Sequence, residues 1–258
     1  MLVADTHVHL YPFYDVGAAM RSLVRRLAAL APGAERAGFL AERPDGDAFA
    51  RLRDGQWGRG SGFEFRPLDG GTLLAADGGD PSGAGLYLFA GRQIVTAERV
   101  EVLGLAMTRP VPDGRPAAET VARVREAGGV PVLSWAPGKW LFARGRVVRA
   151  LIGAAAPGGL LIGDTSLRPP LWPEPLPMRA ARRRGLAVIA GSDPLPFAGE
   201  DTRPGMYATR WDGGLDPRDP LGSARRLLQG PGAPPVRVGR RSGTLEAARR
   251  VARCLAGR

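Results

Sequence analysis

Gly128-Gly129-Val130-Pro131-Val132-Leu133-Ser134 is the stretch from which the fold is read. Two glycines close the preceding segment, a short apolar run follows, and a small polar residue ends it. The pattern recurs at Gly158-Gly159-Leu160-Leu161-Ile162-Gly163-Asp164 and at Gly185-Leu186-Ala187-Val188-Ile189-Ala190-Gly191-Ser192-Asp193. Upstream of the three, the spacing predicts helices near 117–127, 146–154 and 176–184. Glycine just past a helix end accepts the left-handed backbone of a C-cap. A short, wholly apolar run suits a parallel strand covered on both faces. Alternation of the two predicts a parallel α/β layer or barrel. Ser134, Asp164 and Ser192–Asp193 would then share the C-terminal edge of the strands, where α/β barrels carry their chemistry.

Towards the N-terminus, Val3 to Leu10 reads as a buried strand. Met20, Leu23, Val24, Leu27 and Leu30 recur at helical spacing and predict a helix over 16–30. A short strand is expected near 37–40. The Gly- and Asp-rich stretch 54–85 predicts hairpins and loops, and 86–91 and 93–107 read as β-strands. Beyond about 205 the chain is rich in Pro and Gly, and a final helix is expected at 244–256. Leu245, Ala248, Val251 and Leu255 would form its packed face. The whole chain, 1–258, is expected to be one domain, with a core over about 1–205 and a basic C-terminal extension over 206–258.

At 258 residues, with 44% hydrophobic and 24% charged side chains, the composition is that of a globular protein and excludes a collagen-like, coiled-coil or disordered chain. A single cysteine, Cys254, excludes an intrachain disulfide. No apolar run reaches the roughly 18 residues of a membrane span. The N-terminus lacks the charged and apolar regions of a signal peptide, so a cytoplasmic location is expected. Net charge is +11, yet of 36 basic residues only Lys139 is lysine and asparagine is absent, the mark of a GC-rich genome. Residues 1–129 carry 15 basic and 16 acidic side chains, and residues 130–258 carry 21 and 9. Such asymmetry can serve an anionic partner, but no aromatic interleaving accompanies it, and nucleic acid is not expected.

The only histidines are His7 and His9, in Ala4-Asp5-Thr6-His7-Val8-His9-Leu10. On a strand, residues two apart share a face, so Asp5, His7 and His9 are expected to point one way. Two imidazoles so placed can chelate one divalent ion, since neutral imidazole is a preferred ligand of zinc, iron, nickel and copper.

Asp-x-His-x-His on a first strand resembles the opening motif of the polymerase and histidinol phosphatase (PHP) domain and of metal-dependent amidohydrolases. Ala90-Gly91-Arg92-Gln93-Ile94-Val95-Thr96 with Val100–Leu105 is similar to the family's Gly-x-Glu-Ile-Ser/Thr strand and its partner. Gly191-Ser192-Asp193-Pro194-Leu195 resembles its Gly-Ser-Asp-x-His, and Gly129–Pro137 falls where the family has a strand ending in Ala-His-Pro. The resemblance spans roughly 3–196. It implies a distorted (βα)7 TIM-like barrel of PHP type, here with a hairpin-rich insertion around 54–107, that hydrolyses phosphate esters with two or three metal ions. This chain departs at three ligands: Gln93 replaces a bridging glutamate, Ser134-Trp135-Ala136 lacks the histidine, and Leu195 stands in place of another. His7, His9 and Asp193 remain, enough for one ion (zinc, manganese or iron) with open positions.

The expected activity is therefore a PHP-like, phosphoesterase-type hydrolase with a one-metal site. The alternative is an inactive binding or regulatory protein of the same fold. Asp5 and Asp164 are the expected proton acceptors, Asp5 also as a carboxylate that orients a histidine. Arg168, Lys139, Arg203 and Gln93 are the expected contacts to a small anionic substrate; Arg168, four residues after Asp164, is placed to clamp a phosphate or carboxylate. Absence of Gly-x-Ser-x-Gly excludes the nucleophile-elbow hydrolases, and Gly58-Arg59-Gly60-Ser61-Gly62 lacks the ending of a phosphate loop.

Overall fold

The computed structural model describes residues 1–78, 85–230 and 232–256; positions 79–84 of the Gly/Asp-rich stretch lie outside the described residues. In chain order the elements are β1 (Leu2–Val8), α1 (Val16–Leu30), β2 (Glu35–Leu40), α2 (Ala48–Arg53), β3 (Phe63–Asp69), β4 (Thr72–Asp77), β5 (Leu86–Phe89), β6 (Gly91–Val95), β7 (Glu101–Leu105), α3 (Ala117–Glu126), β8 (Val130–Ser134), α4 (Phe142–Ala154), β9 (Leu161–Thr165), α5 (Leu176–Arg183), β10 (Val188–Gly191), β11 (Tyr207–Trp211), α6 (Pro220–Gln229), β12 (Val236–Gly239) and α7 (Thr244–Ala256). Local chemistry explains the boundaries. The Asp15 carboxylate accepts the Ala18 N–H at 3.0 Å and opens α1, whose Met20, Leu23 and Leu27 are fully buried. Gly128 and Gly185, at φ +78° and +76°, follow α3 and α5 in the left-handed conformation that any other residue would resist.

The expected barrel is not what these strands build. They form two open sheets, one of seven strands in the order β12-β11-β1-β2-β5-β4-β3 and one of five in the order β10-β9-β8-β7-β6. Among the described residues the strand pairs that run parallel are β1–β2, β2–β5, β8–β9 and β9–β10. β6 and β7 form an antiparallel hairpin, and β8 joins β7 antiparallel, so the βα alternation stops there. Residues 54–107 are accordingly no insertion: β5 extends the large sheet against β2, and β6 and β7 make up two of the five strands of the smaller one.

The sheets meet along two seams that carry single contacts in place of a ladder. At one, the Asp193 N–H donates to the His7 carbonyl at 2.9 Å and Thr6 Oγ1 donates to the Ala190 carbonyl at 2.9 Å. At the other, Glu42 and Arg92 form an isolated bridge. A shared apolar cluster lies between the sheets, with Leu2, Phe39, Phe89, Leu103, Leu161 and Ile189 buried in it. Separate clusters pack α1 on the large sheet and α3, α4 and α5 on the small one.

Two local expectations also need correction. β1 carries a register shift between Asp5 and Val8, and the Asp5 carboxylate is taken up by backbone N–H groups and the Ser192 hydroxyl, outside the cluster of His7, His9 and Asp193. In α7 the packed residues are Ala247 and Arg250, while Leu245 and Leu255 are 63% and 62% exposed. Among the described residues no helix is long and apolar enough to cross a membrane.

Candidate metal centre

The centre is assembled at the first seam. β1 delivers His7 near its C-terminal end, His9 follows just beyond it, and Asp193 comes two residues after β10. The close approach depends on Gly191: a Cβ there would lie 2.4 Å from the Cβ and backbone nitrogen of His7. Asp5, fully buried, ties the strands together. Its carboxylate accepts from the backbone N–H groups of His7 (3.1 Å), Ser192 (2.9 Å) and Gly205 (2.7 Å), and from the Ser192 hydroxyl. Burial raises its pKa, and those four donors oppose the rise. Asp193 adopts φ +50°, a left-handed conformation that aspartate tolerates better than most residues.

Four heteroatoms converge. His7 Nε2 stands 3.0 Å from His9 Nε2, 3.1 Å from Gln93 Oε1 and 3.5 Å from Asp193 Oδ1. His9 Nε2 stands 3.6 Å from the same carboxylate oxygen. A neutral imidazole carries at most one hydrogen on Nε2, so His7 Nε2 can donate to only one of the three neighbours facing it. A cation would satisfy all of them. With ligand bonds of about 2.1 Å, the edge of a tetrahedral site is about 3.4 Å, and the observed separations bracket that value. His7, His9 and Asp193 thus form a buried triad able to offer one ligand atom each, and its donor set fits a single divalent ion.

Electrostatics agree. Burial, then the neighbouring His7 and the Arg43 charge, hold His9 well below the usual histidine range, which keeps it as the neutral imidazole that binds metals. Ser134 Oγ lies 3.4 Å from His7 Nδ1 on the far side of the ring. Burial pushes the Asp193 carboxyl up and His7 pulls it down; Glu101 and Glu200 add to the rise, and the Arg250 charge opposes it. Tyr11 stacks on His9 with ring centroids 5.5 Å apart, and Phe13 stacks on Tyr11 at 5.7 Å.

The remaining expected residues fall into other groupings. Asp164 is 1% exposed and accepts from Arg168 Nε (2.8 Å) and Nη2 (2.5 Å), Arg237 Nη1 (2.9 Å) and the Tyr207 hydroxyl (3.0 Å). Arg168 is therefore engaged by the carboxylate four residues before it. Lys139 Nζ pairs with Glu101 at 2.8 Å. Arg203 pairs with Glu246 and lies 3.8 Å from Glu200. Arg250, which with Glu200 borders Asp193, went unread in the sequence. Arg250 lies one helical turn after Ala247, but a chain with 35 arginines hides any single one.

No protein-family model and no curated protein matches the chain. Solved structures do. PsfC from Pseudomonas syringae PB-5123 aligns over 99% of this chain and 96% of its own at 17% identity, with a TM-score of 0.54. The lesion-specific endonuclease PfuEndoQ from Pyrococcus furiosus aligns over 92% of this chain at 12% identity and a TM-score of 0.49, and this chain spans 57% of its length. A complex of Endonuclease Q with a 27-mer duplex bearing an abasic lesion aligns over 90% of this chain and 57% of its own, at 12% identity and a TM-score of 0.44. The likeness to PsfC over nearly the full length of both chains is a likeness of fold.

Proposed function

We propose that the chain is a metal-dependent hydrolase of the phosphoesterase kind, similar to PHP enzymes and reduced to one metal ion held by His7, His9 and Asp193. The convergence of two imidazole nitrogens and a carboxylate oxygen in a buried site carries this reading. A divalent ion bound there supplies Lewis-acid polarisation and activation of water for attack on a phosphoryl or acyl centre. The residues around it have separate tasks. Gln93 places a neutral amide oxygen where a ligand or a polar substrate group can be met. Asp5 fixes the His7 and Ser192 backbones, a positioning role that its four donors support better than proton transfer. Asp164 is likewise a positioning carboxylate. Lys139 is the cation we assign to an anionic substrate, because its partner Glu101 is close enough to Asp193 to raise its pKa. We treat residues 1–258 as one working domain, since Arg250 of α7 bonds to the Asp193 carbonyl.

One observation favours the second reading, an inactive binding protein of this fold: His7, His9 and Asp193 are only 3%, 4% and 8% exposed. Elemental analysis of untagged protein purified without chelator, beside His7→Ala and His9→Ala, separates the two. Near one equivalent of zinc, manganese or iron, lost in both variants, supports the hydrolase and justifies a panel of phosphate mono- and diesters. No metal, even after incubation with each ion, ends it in favour of the binding protein.

A further inference from the structure

α7 is held in an unusual way. Of its thirteen residues only Ala247 and Arg250 are buried, and a helix this short has little stability of its own in water. Its large apolar side chains Leu245 and Leu255 face outward. Between α7 and the segment 197–203 lies a cleft of about 680 Å³, bordered by Phe197, Gly199, Leu245 and Arg249, and polar contacts bridge it: Arg203 pairs with Glu246, and Arg253 lies over the Phe197 ring at 4.5 Å. The buried contact is that of Arg250. It is 4% exposed, and all five of its N–H groups are engaged. Nε and Nη2 fork onto the two oxygens of Glu200 at 2.9 and 2.5 Å. Nη1 donates to Ser166 Oγ at 3.1 Å and Ser242 Oγ at 3.0 Å, and Nη2 also reaches the Asp193 carbonyl at 3.3 Å. Glu200 in turn accepts the Leu195 N–H at 2.9 Å. The guanidinium thus grips the chain at Asp193 directly and two residues later through Glu200.

We infer that Arg250 is a positioning residue that latches α7 onto the Asp193–Glu200 segment and holds Asp193, in its left-handed backbone conformation, at the geometry needed to ligate a cation. The inference rests on the metal-centre reading and names what orients the ligand most remote in sequence from the histidines. A side chain that orients a ligand changes metal affinity by about 10- to 100-fold when it is lost. An arginine fork also cannot be replaced by lysine, which offers a point charge. The Asp193 carbonyl and both oxygens of Glu200 would lose their shared donor.

The test compares wild type, Arg250→Met/Glu200→Gln and Arg249→Ala. The double variant removes both charges of the pair and keeps an acceptor for the Leu195 N–H; Arg249→Ala alters the adjacent exposed position. Each is titrated with Zn²⁺, and with Co²⁺ to read the visible spectrum of the bound ion, while amide hydrogen exchange is followed over 193–203. We expect the double variant to bind Zn²⁺ about ten-fold or more weakly, with a changed Co²⁺ spectrum and faster exchange over 193–203, and Arg249→Ala to match wild type. A folded double variant with unaltered affinity, spectrum and exchange overturns the latch while leaving the metal centre standing. If wild type itself binds no ion, the metal-centre reading falls with the positioning role, and unchanged exchange would remove the mechanical link as well.

Discussion

Asp164 and Asp193 end neighbouring parallel strands, both are buried, and they have opposite surroundings. Asp164 is surrounded by donors: two guanidinium groups and a phenol meet its oxygens. The Asp193 carboxylate faces His7 and His9 at 3.5 and 3.6 Å, and among the described residues no arginine or lysine pairs with it. Arg250 bonds to Asp193 at its carbonyl, and its charge acts on the carboxylate without a direct bond. A buried carboxylate needs a compensating charge. The protein supplies that charge for Asp164 from its own chain. For Asp193 the nearest side chains are those of His7 and His9, and imidazole with carboxylate is a set that suits a cation from outside. Position at the C-terminal edge of the strands therefore does not make a site; direct pairing with arginine separates a structural carboxylate from a candidate ligand.

The comparison can be broken by two substitutions with opposite expected outcomes. Asp164→Ala should leave Arg168 and Arg237 without their shared counter-charge and cost about 3–5 kcal/mol, the usual consequence of halving a buried ion pair. Urea unfolding measures that loss, and metal per folded molecule should be unchanged. His9→Ala should remove the metal, read by elemental analysis, with the unfolding midpoint in chelator close to that of wild type. Equal loss of stability in both variants would make the His7–His9–Asp193 cluster another structural knot. Asp5→Asn should fall between them. An amide replaces one acceptor oxygen by a donor opposite N–H and O–H groups, and an unmade buried bond costs about 1–3 kcal/mol. Because those donors belong to His7, Ser192 and Gly205, zinc affinity should weaken with stability. Unfolding and Zn²⁺ titration of the one variant check both.

Much of this arrangement is legible in the sequence, for local reasons. Helix α1 and strands β8, β9 and β10 announce themselves by apolar runs and glycine stops that act within a few residues. His7 and His9 stand out because they are the only two, and Asp193 because it ends a strand. Sheet closure is not local: nothing within 86–107 states that β6 and β7 pair antiparallel and end the βα alternation. The register shift in β1 between Asp5 and Val8 arises from pairing with β2 and is invisible to a period-two reading. Arg168 reads as a substrate clamp from its spacing, yet the same i, i+4 geometry delivers it to Asp164. α7 misleads most, since its leucines suggest a packed face while Glu200, distant in sequence, draws Arg250 inward.

Gln93 offers the finest discrimination between the two aspartate settings. Its Oε1 lies 3.1 Å from His7 Nε2, inside the same ring of acceptors, and it stands where the PHP pattern has a glutamate. If a cation occupies the ring, Gln93→Glu adds a second carboxylate to a centre that has one, and Zn²⁺ affinity should rise by about ten-fold, the lower end of what tuning a metal site's surroundings achieves. If the ring is held only by hydrogen bonds, the same change buries a carboxylate beside Asp193 without a counter-charge, and stability falls with no gain in affinity. Paired Zn²⁺ titration and urea unfolding of Gln93→Glu therefore read the occupant of the ring from the sign of the effect, and the sign would be the same whether or not the protein turns over a substrate.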